Sequence, residues 1–306
     1  MGEKLTDILA SFLEDMHDRN LSKDTIRTYS WILQDFAKLM QARGVTLEAV
    51  KRPDLKAYYD SLQEKNISHK TASLRFGALA SFYDYLVFEE IIKDNPVMGV
   101  KKRYLQAYKT PAGHTHQSIT IEQAATLVKE MTDIRDKALL VLLLKTGIRR
   151  KELIALDSDD IDWQNNSIRL KPTAKRSNRI VFFDEEAEDY LRRWLRLREY
   201  RNKKKSPALF VTYRGRISMT AVNNALLKPA LRLGLHDIKS PDMERHFSAH
   251  CCRHFLVTAL LRSGMKREYV RWIRGDAITD AMDIYYHIDP EDVKKSYLAH
   301  VPLLGV

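Results

Sequence analysis

The chain has 306 residues, with 51 Lys and Arg against 40 Asp and Glu, a formal charge of 51 − 40 = +11. An apolar share of 44%, with only 9 Pro and 11 Gly, excludes a disordered, low-complexity or collagen-like chain. The longest apolar run, Ala138 to Leu144, falls far short of the roughly 20 residues of a membrane span.

Glu3, Lys4 and Asp7 interrupt any apolar leader after Met1. The only two cysteines, Cys251 and Cys252, are adjacent and offer no disulfide framework. The expectation is a cytoplasmic protein of two domains, with a charge suited to a polyanion.

The first hundred residues read as helices alone. Ile26, Tyr29, Leu33, Phe36 and Met40 form a stripe at helical spacing, between Ser22 as N-cap and Gly44 as stop. A second helix is expected from Pro53 to about Glu64, and a third from Ser68 to Glu89 with Leu74, Leu79, Phe82 and Leu86 inward. Asn95-Pro96 ends this module (residues 1–100), and residues 101–117 read as a basic, loop-like linker carrying Lys101, Lys102, Arg103 and Lys109.

The second domain, 118–306, opens on a capping box at Thr120 to Gln123. Behind it Ile121, Ala124, Leu127, Val128 and Met131 face a core. A buried helix runs from Asp136 to Lys145 and stops at Gly147. Residues 167–171 and 179–183 read as a hairpin, and 209–212 as a third strand. The basic run Arg192 to Lys205 includes Trp194, Leu195 and Leu197, so part of it is an amphipathic helix. A last helix starts at Asp289-Pro290. The fold class is therefore mainly α with a small antiparallel sheet.

Three segments carry candidate chemistry. In Thr146-Gly-Ile-Arg-Arg-Lys-Glu-Leu153 the glycine stop and an immediate new helix hold Arg149 on a platform, with Glu152 three residues on. The planar fork of an arginine suits two phosphate oxygens, and a carboxylate beside it fixes its orientation. In His250-Cys-Cys-Arg253-His254 the imidazole of His250 and the guanidinium of Arg253 share one helix face. Together such groups bind an anion and move a proton. In Asp283-Ile-Tyr285-Tyr286-His287 a tyrosine becomes a nucleophile if cationic neighbours lower its pKa. Each segment alone also describes an ordinary ion pair, a capping histidine or a packed tyrosine. Zinc is not expected, because the adjacent Cys251 and Cys252 cannot easily share one tetrahedral ion.

In this order and at these distances, the three segments resemble the catalytic boxes of the tyrosine recombinase (phage integrase) family. Leu21 to Tyr29 is similar to a helix junction of that family's core-binding domain, and Asn95-Pro96 to the entry of its interdomain linker. The resemblance implies an all-helical core-binding domain and a catalytic domain with Arg149, His250, Arg253 and Tyr285 in the site. A catalytic lysine is implied on the 170–183 hairpin. Counting back from Arg179-Ile-Val selects Lys175, with Lys171 the alternative. Asp276 stands where the family has His or Trp. A carboxylate there repels a phosphodiester, so Asp276 caps or orients Arg274, or Arg274 itself supplies the donor.

By the same resemblance, Tyr285 attacks a phosphate of double-stranded DNA while Arg149 and Arg253 clamp its oxygens. Lys175 protonates the leaving 5′-oxygen, His250 assists the tyrosine, and Glu152 orients Arg149. No cofactor, metal or ATP is implied, and a homotetramer on a specific DNA site is, with the tail 290–306 docking on a neighbour; the alternative for the tail is packing on its own domain. The rival readings are a type IB topoisomerase, a DNA-binding protein of this fold without cleavage, and a metal-dependent nuclease built on Asp157, Asp159 and Asp160.

Overall fold

The computed structural model describes residues 2–105, 119–172, 180–240, 245–275 and 288–306. The chain divides into two compact units, Met1–Pro111 and Ala112–Val306.

The first unit contains helices α1 (Gly2–Asp18), α2 (Lys23–Ala42), α3 (Arg52–Glu64), α4 (His69–Phe88) and α5 (Val97–Tyr104). Ser22 caps α2 by accepting from the Thr25 N–H, and Ser68 caps α4 by accepting from the Thr71 N–H. Their apolar stripes meet in one core around Phe12, Phe36, Tyr58, Phe76, Phe82 and Tyr83. Leu74 departs from the expected inward set and is 49% exposed. In α4 the buried phase runs instead through Ala72, Arg75, Phe76 and Leu79, which leaves Leu74 on the outer face.

A second departure concerns the linker. Lys101, Lys102 and Arg103 were expected in a loop, yet they form the last turn of α5. The turn forms because Val97 and Val100, three apart, bury one face in the core of this unit. Three cations at a helix C-terminus also complement its dipole. Lys109 lies outside the described residues.

In the second unit α6 (Ile121–Glu130) begins with the capping box, both of whose bonds are present. Ile121, expected in the core, is 40% exposed, because the first helical residue points away from the face that Ala124, Leu127 and Val128 bury. Helix α7 (Ile134–Thr146) is buried over Ala138 to Thr146 and lies at the centre of the main core. It is followed by α8 (Arg150–Ala155) and a 3₁₀ turn, Ser158–Asp160.

Strands β1 (Ile161–Asp162), β2 (Ser167–Arg169) and β3 (Ile180–Phe182) form an antiparallel sheet in that order, with Ile168 opposite Val181. The expected third strand near 209–212 is not part of it. Instead β4 (Val211–Thr212) pairs with β5 (Gly215–Arg216) as a separate hairpin, and β1 takes the third place. The acidic residues Asp157, Asp159 and Asp160 sit at the 3₁₀ turn before β1.

Helices α9 (Glu185–Arg201), α10 (Met219–Arg232), α11 (Ala249–Arg262), α12 (Arg267–Arg274) and α13 (Pro290–His300) complete the unit. Asp289 caps α13 as expected. Much of the basic run on α9 is engaged internally. Arg198 is buried and donates to the carbonyls of Ala208 and Ser206, Arg201 pairs with Asp133, and Arg192 and Arg193 pair with Glu188 and Asp189.

The tail packs on its own unit, the second of the two arrangements expected for it. The Leu304 and Gly305 N–H groups donate to the Glu186 carboxylate at 2.9 and 2.7 Å, and Leu304 is buried.

Candidate active site

Helix α7 ends because Gly147 adopts the left-handed conformation (φ 59°) and its N–H closes on the Leu143 carbonyl. The chain restarts at once, with Arg149 in extended backbone as the N-cap of α8. The Arg149 N–H donates to Glu152 Oε2 at 2.6 Å, and its Nη1 donates to Glu152 Oε1 at 3.1 Å. Glu152 is almost fully buried, whereas the Arg149 side chain keeps about a third of its surface exposed. A buried carboxylate therefore holds both the backbone N–H and the guanidinium of Arg149, as the spacing of the two residues predicts.

Helix α11 starts at Ala249, with Ser248 accepting from the His250 N–H. His250 in the first turn is exposed, and its ring meets that of His254 edge-on at 4.6 Å. Arg253, one turn further, is buried. Its Nη1 donates to the Gly147 carbonyl at 2.8 Å and its Nη2 to the Arg274 carbonyl at 2.5 Å. The first and second boxes are thus bonded through one turn. Gly147 is confined further: a Cβ there would stand 3.1 Å from Leu256 Cδ2 and 3.7 Å from Arg253 Cγ.

Gly275 caps α12 in the left-handed conformation (φ 63°), next to Arg274, the anchor of Arg253. Asp276, Tyr285, Tyr286, His287 and Lys175 all lie outside the described residues. The alternative hairpin lysine is described. Lys171 Nζ bonds Asp157 at 2.9 Å and Asp160 at 3.2 Å, and these partners raise its pKa. Such a lysine is already committed to two carboxylates.

A cavity of about 410 Å³ opens beside His250, lined also by Arg150, Asn223, His236 and His246. Burial, and then the neighbouring His246, push the His236 pKa down. The adjacent thiols are held neutral, since burial raises the pKa of both Cys251 and Cys252. Among the described residues, no group of three His, Cys, Asp or Glu is placed to hold a metal ion.

Sequence reasoning missed the two carbonyl anchors of Arg253, since a backbone acceptor leaves no signal in side-chain identity. It also passed over Lys145, which is fully buried at the end of an otherwise apolar run. One cation closing that run was the available clue.

Residues 117–292 match the phage integrase family, and residues 9–90 match the phage integrase N-terminal SAM-like domain. The chain belongs to the phage integrase family. It is 27% identical to the tyrosine recombinase XerC of Bacillus licheniformis over 96% of each chain. It is 28% identical to the XerC of Listeria monocytogenes serovar 1/2a, over 95% of this chain and 96% of that protein. Its fold is similar to the Tn1549 transposon integrase in complex with a circular intermediate DNA (TM-score 0.70, 17% identity, 95% and 98% coverage). A lambda integrase dimer bound to a COC′ core site is also similar (TM-score 0.66, 14% identity, 93% and 98% coverage). As a family member, the chain is a tyrosine recombinase by class, and the helical fold with small antiparallel sheets agrees with the sequence reading.

Proposed function

We propose that this protein is a site-specific DNA recombinase that cleaves and rejoins duplex DNA through a covalent 3′-phosphotyrosine. The observation that carries the reading is the bond from Arg253 to the Gly147 carbonyl, which ties the second catalytic arginine to the turn presenting the first. Fixed cations beside a phosphodiester stabilise the charge that builds in its pentacoordinate transition state. The relatives named tyrosine recombinase, matched over nearly the whole chain, support the same reaction class.

In this reading Tyr285 attacks the scissile phosphorus as its Oη–P bond forms and the P–O5′ bond breaks. Lys175 gives its proton to the departing 5′-oxygen, while His250 assists removal of the tyrosine proton. Arg149 and Arg253 hold the non-bridging oxygens. Bond energy is kept in the phosphotyrosine, so a partner strand's 5′-hydroxyl reverses the step and exchanges strands. The domains divide the work: the helical unit that ends in α5, with Lys101, Lys102 and Arg103 on its last turn, as the core-binding domain, and 118–306 as the catalytic domain. The active assembly is a homotetramer on a specific DNA site in the cytoplasm.

The decisive test uses a nicked suicide duplex in EDTA. Wild type forms a gel-shifted covalent adduct, Tyr285→Phe forms none, and Tyr286→Phe keeps most of it. Adduct retained in Tyr285→Phe and lost in Tyr286→Phe moves the nucleophile by one position. Adduct retained in both removes the tyrosine mechanism.

A further inference from the structure

A fully buried lysine stands in the main core, and the chemistry just assigned makes no use of it. Lys145, in the last turn of α7, has no exposed surface. Its ammonium spends all three protons: on Asp184 at 2.5 Å, on Glu186, and on the Pro302 carbonyl at 2.7 Å. Glu186 in turn receives the Leu304 and Gly305 N–H groups. Burial works against its ionised form, but the Leu304 N–H and the Lys145 ammonium outweigh this and hold its pKa below the ordinary value. The backbone of Lys145 is gripped as well, because the Tyr297 hydroxyl, also buried, donates to its carbonyl at 2.8 Å.

Two residues further along stands Gly147, whose carbonyl holds Arg253, and two beyond that Arg149. The end of α7 is therefore clamped by α13 and the tail, and leads directly into the turn whose Gly147 carbonyl holds Arg253 and whose Arg149 caps α8. Burying a charge costs heavily unless it is fully paired. The same helix end filled by a leucine would be simpler to bury but would not grip the tail backbone.

We propose that Lys145 is a positioning residue: through the Lys145–Glu186–tail clamp and the Tyr297 hydroxyl, the docked carboxyl-terminal segment sets the Thr146–Arg149 turn and so aligns Arg149 and Arg253. The inference rests on the recombinase reading but concerns residues that touch no substrate. It makes tail docking a condition for fast chemistry rather than for DNA binding.

The test is single-turnover cleavage of the nicked duplex at saturating protein, with the duplex Kd and Tm measured beside it. Loss of folded protein lowers the burst amplitude, whereas loss of alignment lowers the rate constant of the molecules that react. Lys145→Met is expected to slow that rate constant at least tenfold with Kd within twofold. Tyr297→Phe, which removes one hydroxyl and no volume, is expected to slow it several-fold even if Lys145→Met folds poorly. Trp194→Phe is the control: Trp194 is buried in the same unit and bonds the Leu209 carbonyl. It should lower Tm and leave the rate constant alone. Wild-type rate constants in Tyr297→Phe and in the folded fraction of Lys145→Met overturn the positioning role. No adduct from wild type itself overturns the recombinase reading, and this inference with it.

Discussion

The Nη1 of Arg253 donates to the Gly147 carbonyl at 2.8 Å, so residues 106 apart in sequence share one rigid turn. A guanidinium held in this way loses little freedom on meeting a phosphate. Arg149→Ala and Arg253→Ala are each expected to slow cleavage of the nicked duplex by two or more orders of magnitude, about 3 kcal/mol or more in the transition state. Duplex affinity, measured by anisotropy, should stay within a few-fold, because most of it comes from other phosphates. Near-normal cleavage by either variant removes that arginine from the site.

Gly147→Ala tests the turn itself. The left-handed backbone costs a residue bearing a Cβ roughly 1–2 kcal/mol, and the new methyl would press on Leu256 at 3.1 Å. We expect a lower Tm, and a cleavage rate reduced beyond what the unfolded fraction explains. A variant as stable and as fast as wild type contradicts the role given to this turn.

The two hairpin lysines separate by their partners. Lys171 and, after it, Arg216 hold the Asp157 carboxyl below its ordinary pKa. A carboxylate with a lowered folded-state pKa keeps its pairing above that value and loses it only as pH falls through it. Lys171 therefore stays engaged with Asp157 throughout the neutral range. Lys171→Ala should cleave within a few-fold of wild type, and Lys175→Ala should be slowed by orders of magnitude. A substrate with a 5′-phosphorothiolate, whose leaving group needs no proton, should restore Lys175→Ala. If Lys171→Ala is the variant so rescued, the assignment is reversed.

Charge alone does not locate the duplex contacts. Lys102 and Arg103 are exposed, whereas Arg198 is buried against two carbonyls. Substituting Lys102 and Arg103 together by Ala should weaken duplex binding and flatten the plot of log affinity against log salt by about one to two. Arg198→Met should lower Tm, because the buried Ala208 carbonyl loses its side-chain donor, and should leave the salt slope unchanged. The opposite pattern would place the α9 run, rather than the end of α5, on the DNA.

The helical amino-terminal module, the capping box at Thr120, the Gly147 stop and the Arg149–Glu152 pair were all legible in the sequence. Each rests on contacts within four residues, where periodicity and local hydrogen bonding decide the outcome. Order and spacing of the boxes are enough to suggest the family.

What the sequence by itself determined is local: which segments are helices, where they stop, and which residue types stand ready for phosphate chemistry. The tertiary structure alone decided the pairings between distant segments. It chose β1 rather than 209–212 as the third strand, because ladder partners are set by the whole sheet. It turned Arg198 inward and Leu74 outward, where burial depends on neighbours from other elements. It also joined Arg253 to Gly147 and Lys145 to the tail, through backbone carbonyls that every residue carries and no sequence pattern distinguishes.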